Sequence, residues 1–448
     1  MKTRRMEKMN ENTVVAKGKT KTLYELPDRP GVVSVRSGDE ITKNDDPLAT
    51  QKMDNKAIHA TSTTCEIFSL LKAAGIPVAF LERTSPTEFL APKCKMIQLE
   101  VILRRYAVGS YLKRFPNLGK KSGELPHRFH RLMFELFLKT TGGEIRNQYG
   151  EVVGNMPNDC LETEREKPVD DPFINNPYAD SWELGHPKIP SWEKSSNFTF
   201  GINQDEILPD GVTVEMIEEL ARKTFLVLEG AWAQLGCRLI DFKIEFGIGP
   251  NGELLVADVI DNDSWRLRDR NWQELSKQLF RDNADMSQIA DKYAIVANLT
   301  SRLVIPQQTI VLWRGSKDDK LPEIPVLAGI GNVEVVESGH KAPGACLPSL
   351  EEVLATYPEG GVVLALVGKS NGLGPMLSAR TSWPVVGVAI TAEEHPEDVW
   401  SSLSMPSQVP MATIISPKNA VLLALNILAQ KNPVAYMYRQ YAIEELDK

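Results

Sequence analysis

Ile240-Asp241-Phe242-Lys243-Ile244-Glu245-Phe246-Gly247, turning through Pro250-Asn251-Gly252 into Glu253-Leu254-Leu255-Val256-Ala257-Asp258, is the stretch that decides the reading of this chain. Asn-Gly between two alternating apolar runs signals a β-hairpin. A turn centred on the Asn251–Gly252 bond sets Glu245 and Asp258 opposite each other on one face. Like charges so placed repel. A cation between them makes the pair tolerable, and hard oxygen ligands beside phosphates suit Mg2+. The other reading is an exposed strand face on which water solvates both carboxylates.

Outward from the hairpin, 448 residues exceed one typical core, which implies two domains or three. With 42% hydrophobic and 25% charged residues the composition is that of an ordinary soluble globular protein. A net charge of -8 argues against a broad nucleic-acid-binding surface but leaves room for a local basic pocket that takes a small phosphate. Cys65, Cys94, Cys160, Cys237 and Cys346 lie far apart with no C-x-x-C pair. That fits a reducing compartment without a disulfide framework or zinc site. The basic start lacks the apolar stretch of a signal peptide, and no run approaches the roughly 18 apolar residues of a membrane span. The expectation is a cytoplasmic protein with no membrane or nucleic-acid partner.

The first part reads as α+β: early strands at 22–36, a helix capped by Asp54 or Asn55 and stopped at Gly75, and strand-like runs at 76–83 and 96–104. Residues 140–200, rich in Gly, Pro, Asn and Asp, read as a long irregular excursion. A helix from about Thr213 to Leu235 leads into the hairpin, and a helical stretch at 272–303 ends at Pro306. Beyond it, short apolar runs at 309–313, 333–336, 362–367, 385–390 and 411–415 alternate with helical patterns such as Leu350–Tyr357 and Asn419–Ala429. Such alternation predicts a parallel, doubly wound sheet with helices on both faces. The domains are expected at 1–304 and 305–448.

Ligands of open α/β sheets bind at the carboxyl ends of the strands. Three polar turns fall at such ends: Gly315-Ser316-Lys317-Asp318-Asp319, Ser338-Gly339-His340-Lys341 and Gly368-Lys369-Ser370-Asn371-Gly372-Leu373-Gly374. Their glycines allow close backbone approach, so exposed N–H groups can hold an anion. His340 falls within that cleft, and a histidine can take or give a proton near neutral pH. In the first domain Lys17-Gly18-Lys19-Thr20-Lys21 has the composition of a phosphate-covering hairpin, though it is neither a Walker A loop nor a kinase glycine triplet. Short lysine runs are also commonly just solvated. Arg104-Arg105 with Gly109-Ser110 and Lys113-Arg114 forms a second basic cluster. Asp261-Asn262-Asp263-Ser264-Trp265-Arg266 reads as either part of a polar site or a self-capped loop.

Together these segments resemble SAICAR synthetase (phosphoribosylaminoimidazole-succinocarboxamide synthetase). The likeness is carried by Gly18-Lys19-Thr20-Lys21, Arg104 with Gly109-Ser110-Tyr111-Leu112-Lys113-Arg114, Asp171-Pro172, Lys243-Ile244-Glu245-Phe246-Gly247 and Asp258 through Arg266, in family order. The second part resembles AIR carboxylase (phosphoribosylaminoimidazole carboxylase) through Gly315-Ser316, Ser338-Gly339-His340-Lys341, Ser370 to Pro375 and Asp398 to Ser402. Synthetase before carboxylase is the order of the bifunctional animal enzymes, and His-Lys with Ser-Asn-Gly-Leu-Gly-Pro is similar to the class that uses CO2 directly. The resemblance implies an α+β ATP-binding synthetase domain followed by a flavodoxin-like α/β domain. It also implies two consecutive steps of purine synthesis. AIR takes CO2 to give CAIR. CAIR and L-aspartate then give SAICAR with ATP and Mg2+, through an acyl phosphate, releasing ADP and phosphate. A homo-octamer built through the second domain is implied as well.

Residue by residue, the resemblance gives Lys19 and Lys21 to the ATP phosphates, and Glu245 and Asp258 to Mg2+. Arg104, Ser110, Asp263 and Arg266 go to the ribonucleotide, Ser316 and Asp319 to the second ribonucleotide-binding turn. His340 goes to proton transfer, Lys341 to a phosphate and CO2 neighbour, and Ser370, Asn371 and Gly372 to the CO2 pocket. Departures stand beside it. The family's Lys-Asp-Asp-Ala-x-x-Asp-Pro stretch is split, Lys139-Thr140-Thr141 preceding an insertion that ends at Asp170-Asp171-Pro172. The span from Gly315 to His340 is short and carries Pro322 and Pro325, which disfavour a first helix. Lys369 stands where animal enzymes tend to have Arg, and Ala342 replaces a Gly. An alternative is therefore a synthetase whose second domain is only an assembly scaffold. A kinase-like phosphotransferase would need a His-Arg-Asp motif, which is missing.

Overall fold

The computed structural model describes residues 13–18, 20–42, 50–119, 121, 123–161, 166–281 and 285–446. The chain divides into two compact units, Met1–Phe225 with Leu235–Leu303, and Leu226–Gln234 with Val304–Lys448. Among the described residues no helix is long and apolar enough to cross a membrane.

Among the described residues the first unit holds two large antiparallel sheets beside three smaller ones. The smaller of the two large sheets has five strands, in the order Thr13–Lys17, Lys21–Glu25, Val32–Ser37, Glu88–Pro92 and Glu82–Ser85. Helix Lys56–Ala73 backs it, and Phe68, Phe80 and Phe89 meet with ring centroids 5.9–6.4 Å apart. Gly75, at φ +82°, ends the helix as its lack of Cβ permits. The run at 76–83 is not the strand its composition suggests. It makes only a bridge from Val78 to Val256 before the strand at Glu82–Ser85.

The larger sheet has seven strands, in the order Asn197–Asn203, Ser181–Gly185, Phe173–Ile174, Arg128–Leu138, Leu99–Tyr106, Arg238–Ile244 and Trp265–Arg268. Helix Val214–Gln234 follows the expected bounds, and its Phe225 packs edge-on to Phe242 at 5.1 Å. Helix Met286–Thr300 is shorter than the stretch read at 272–303. Nor is 140–200 irregular throughout. Besides the small sheet of Thr140–Thr141, Glu144–Arg146 and Val152–Asn155, it supplies three strands to the large one. In Ser181–Gly185 only Trp182 and Leu184 alternate inward before the closing glycine, too short a period to read from the sequence.

The second unit is a five-stranded parallel sheet in the order Ile330–Val336, Gln308–Arg314, Gly361–Val367, Val385–Ala389 and Ala412–Ile414. Numbered along this unit, the order is 2-1-3-4-5, the flavodoxin-like arrangement. Ile310, Leu312, Leu364 and Leu366 point to the face covered by helices Pro417–Leu428 and Pro433–Glu445. Val311, Trp313, Val363 and Ala365 point to the face covered by Pro343–Thr356 and Leu373–Ser378. Strands buried on both faces explain the unbroken apolar runs. The first crossover, 315–329, contains no helix, and Ile324 and Leu327 pack onto the sheet in its place.

Candidate active sites

The hairpin forms, but its register differs from the reading. Phe246 faces Val256, Gly247 faces Leu255 and Ile248 faces Leu254. The Gly249 N–H donates to the Glu253 carbonyl at 2.9 Å and the Gly252 N–H to the Gly249 carbonyl at 3.0 Å, with Gly252 at φ +84°. This is a three-residue loop centred on Asn251, and its odd length shifts every pair by one. Glu245 therefore lies opposite Ala257, whose N–H donates to the Glu245 carbonyl at 3.0 Å. Asp258, just beyond the strand Leu254–Val256, still reaches it electrostatically. Burial, and then the charge of Asp258, push the Glu245 carboxyl above the ordinary carboxylate range. Burial also opposes ionisation of Asp258, but the ammonium of Lys21 holds its carboxyl low.

The run Ile240–Gly247 does not stay in one hairpin. Its first part pairs with Leu99–Tyr106, Asp241 facing Arg104 and Lys243 facing Ile102. Leu99–Tyr106 pairs in turn with Arg128–Leu138, Glu135 facing Ile102 and Phe137 facing Glu100. Strand alternation thus collects Asp241, Lys243, Arg104, Glu100 and Glu135 on one sheet face, with Glu245 and Lys139 continuing it. Leu103, Leu136, Phe242 and Ile244 form the apolar opposite face.

On the charged face nearly every group has its counterion. Arg104, 2% exposed, donates to Glu135 and Asp241 at 2.5 Å each and to the Ser110 hydroxyl at 3.1 Å. Arg266 donates to Asp241 at 2.5 Å, and Arg114 to Glu135. Gly109, at φ +60°, brings its backbone so close to Arg266 that a Cβ would lie 2.6 Å from the guanidinium. Ser110 and Arg266 thereby share one corner, with Arg104 buried behind them. Lys243 donates to Glu100 and Lys139 to Glu245, both at 2.6 Å. Asp263 accepts from Lys277 at 3.2 Å and from the Tyr293 hydroxyl, with buried Lys56 at 3.6 Å. Burial opposes it, but those lysines hold the Asp263 carboxyl below the usual range. Burial and then the charge of Asp263 push neighbouring Asp261 up to about 6. The 261–266 loop is self-capped, since the Asp261 N–H donates to Ser264 Oγ at 3.2 Å and the Asp263 N–H to Asp261 Oδ1 at 2.8 Å.

The segment around Gly18 is a hairpin, with the Gly18 N–H donating to the Lys21 carbonyl at 2.9 Å. Lys19 lies outside the described residues. The split acidic motif is rejoined: Thr140 hydrogen-bonds both Asp170 and Asp171. Glu100, Asp241, Glu135 and Lys56 were not singled out from the sequence. Polar residues at every second position of Asp241-Phe242-Lys243-Ile244-Glu245 were the available signal.

In the second unit all three turns sit at strand carboxyl ends and converge. A Cβ on Gly315 would lie 3.9 Å from Ser338, one on Gly339 would meet Leu373 Cα at 2.8 Å, and one on Gly372 would meet His340 Nε2 at 2.5 Å. His340 and Lys341 are exposed. The Ser316 N–H donates to Asp319 Oδ2 at 2.9 Å, which closes the first turn. Ser370 is exposed, while Asn371 is buried and anchors the third turn. The Asn371 side chain donates to Ser402 Oγ at 2.9 Å and accepts from the Gly374 N–H at 2.8 Å.

A SAICAR synthetase family model matches residues 14–148 and 198–298, and an AIR carboxylase family model matches 327–444. A probable multifunctional protein ADE2 of Caenorhabditis elegans is 31% identical over 441 residues, covering 94% of this chain and 91% of that protein. A bifunctional phosphoribosylaminoimidazole carboxylase/phosphoribosylaminoimidazole succinocarboxamide synthetase of Rattus norvegicus is 32% identical over 458 residues, covering 96% of this chain and 93% of that protein. A phosphoribosylaminoimidazole-succinocarboxamide synthase of Chloroflexus aurantiacus is 32% identical over 304 residues, covering 64% of this chain and 96% of that protein. With both family models matched in sequence and relatives aligned over nearly its full length, the chain belongs to the family of bifunctional AIR carboxylase/SAICAR synthetases.

Proposed function

We propose that the chain carboxylates AIR with CO2 to give CAIR in residues 305–448. Residues 1–304 then ligate CAIR to L-aspartate with ATP, giving SAICAR, ADP and phosphate. The observation that carries the synthetase reading is that Lys139 bonds Glu245 on the charged sheet face while Lys21, from the smaller sheet, bonds Asp258 just beyond the hairpin, with Ser110 and Arg266 gathered around Arg104 and Asp241 of that same face. On this reading Lys19 and Lys21 take the ATP phosphates. The CAIR phosphate takes Ser110 and Arg266, with Arg104 fixing the Ser110 hydroxyl and Asp263 ordering the adjoining loop.

The residues fit Mg2+. Glu245 and Asp258 are hard oxygen donors whose mutual repulsion a divalent cation relieves. Bound there, Mg2+ would neutralise phosphate charge during transfer. Lys139 and Lys21, now on the two carboxylates, would be released toward the phosphates.

In the second unit the N–H groups of the Ser316–Asp319 turn and Lys341 take the AIR phosphate. Ser370 and Gly372 border the CO2 position, and Asn371 holds their backbone. His340 accepts the proton that leaves C4 of the imidazole after CO2 adds, its ring lying directly against Gly372. Assembly as a homo-octamer through this unit, in the cytoplasm, belongs to the same reading. A coupled assay begun from either AIR or CAIR tests it. SAICAR is expected from both, and product from CAIR alone would leave the second unit without its catalytic role.

A further inference from the structure

The third turn of the second unit, at 368–374, is not held by its own residues alone. The Asn371 N–H donates to Ser401 Oγ at 3.0 Å, and its side-chain amide donates to Ser402 Oγ at 2.9 Å. Two consecutive serines thus take the peptide and the side chain of one distant residue. They lie on the short helix Trp400–Leu403, where neighbouring side chains leave the axis about 100° apart, so one hydroxyl can meet the peptide and the other the amide. Gly387 makes room for this, since a Cβ there would lie 3.0 Å from Asn371 Nδ2.

The serines are themselves moored. The single hydroxyl proton of Ser401 goes to the Asp398 carbonyl at 2.8 Å, which leaves its lone pairs to accept the Asn371 N–H. Asp398 Oδ2 accepts from the Thr391 hydroxyl, and the Ser402 carbonyl from the Thr413 hydroxyl, both at 2.8 Å. Thr391 follows the fourth strand of this sheet, Val385–Ala389, and Thr413 lies in the fifth, Ala412–Ile414. Strands four and five therefore fix the turn that follows strand three, Gly361–Val367. Ser402 is 1% exposed, whereas Ser401 is half-buried.

We propose that Ser401 and Ser402 are positioning residues that set the third turn against His340 for the addition of CO2. The role rests on the carboxylase reading above. Both serines act through Asn371, so that Ser370 and Gly372 on either side of it keep one place relative to the His340 ring. CO2 carries no charge by which to be held, and its placement depends on how closely the surrounding backbone is fixed. AIR has a phosphate to anchor it at the other two turns. Loosening the third turn should therefore weaken the use of CO2 and spare the binding of AIR.

The test is steady-state carboxylation of AIR by the full-length chain carrying S401A, S401T or S402A, with CO2 varied. Equilibrium binding of AIR and the unfolding temperature are measured for each variant. S401A is expected to lower kcat/KM for CO2 about tenfold or more, because a misplacement of about 1 Å at a reacting centre costs up to 10²-fold. Its AIR affinity should stay within about twofold and its unfolding temperature should barely move, since Ser401 is half-buried. S401T keeps the hydroxyl and should return close to wild type. S402A, which strands a buried amide, should show the CO2 defect together with a lowered unfolding temperature. SAICAR formation from supplied CAIR should be unchanged in all three. An unmoved kcat/KM for CO2 in S401A or S402A would overturn the proposal. So would a tenfold loss of AIR affinity in S401A with a lowered unfolding temperature, because Ser401 would then only support the fold. A wild-type chain that forms no CAIR from AIR would overturn the carboxylase reading, and this role with it.

Discussion

Replacing Gly372 by Ala isolates the position of His340 from the stability of the second unit. Gly372 has φ −84°, so Ala adopts the same backbone without strain. The new methyl would lie 2.5 Å from His340 Nε2, 2.6 Å from Cε1 and 3.0 Å from Cδ2. Ordinary van der Waals separation is about 3.5 Å, so the ring must retreat by about 1 Å. His340 is exposed and can swing toward water, at about 1 kcal/mol or less for a displaced rotamer. A misplacement of that size in a proton-transfer group costs on the order of 10²-fold in rate. G372A should therefore lower AIR carboxylation about 10²-fold, leave SAICAR formation from supplied CAIR unchanged, and barely move the unfolding temperature. G339A is the contrasting variant. Its Cβ would lie 2.8 Å from Leu373 Cα and 3.0 Å from Leu373 N, backbone atoms that cannot step aside. It should destabilise the second unit by about 1–3 kcal/mol and lower its melting temperature by several degrees. The measurement is AIR carboxylation with CO2 and bicarbonate supplied, beside thermal unfolding of each variant. If G372A carboxylates AIR within about threefold of wild type, the Gly372–His340 contact does not set the rate and the reasoning fails.

Glu245→Ala or Asp258→Ala should abolish ATP-dependent SAICAR formation while carboxylation of AIR survives; near-normal synthetase turnover in both would remove these residues from the metal and phosphate chemistry. Burial and Glu100 raise the Asp171 carboxyl from its ordinary value near 4 to about 7, so its folded form favours the proton. Any stability this provides is complete below about pH 4 and lost as the pH rises through 7. Asp171→Asn should therefore match wild type in melting temperature at pH 4 and exceed it at pH 8, and equal melting temperatures at both would contradict the shift. The isolated fragment 1–304 should make SAICAR from supplied CAIR and lose the assembly of the full chain, and light scattering that still finds octamers would place assembly in the first unit.

The amino-acid sequence alone determined the second unit almost completely. Runs such as Val362–Val367 are apolar at every position because both faces of a parallel strand are covered, and that pattern survives without long-range information. The glycine-bearing turns at Gly315, Gly339 and Gly372 were legible for the same reason, since turn chemistry acts over a few residues. In the first unit, composition showed which residues were charged but not which would meet. Only the tertiary structure decided that the Gly249–Glu253 loop has odd length, so that Glu245 lies opposite Ala257 and Asp258 acts on it from beyond the strand. Only it showed Arg104 buried between Glu135 and Asp241, 31 and 137 residues away in the chain. Likewise, the separation of 30 positions between Thr140 and Asp170 hides in the sequence a loop that the fold closes through Thr140 and the pairing of Phe137 with Phe173. Periodicity and turn signals are local, whereas hairpin parity and strand pairing are settled by packing that brings distant segments into register.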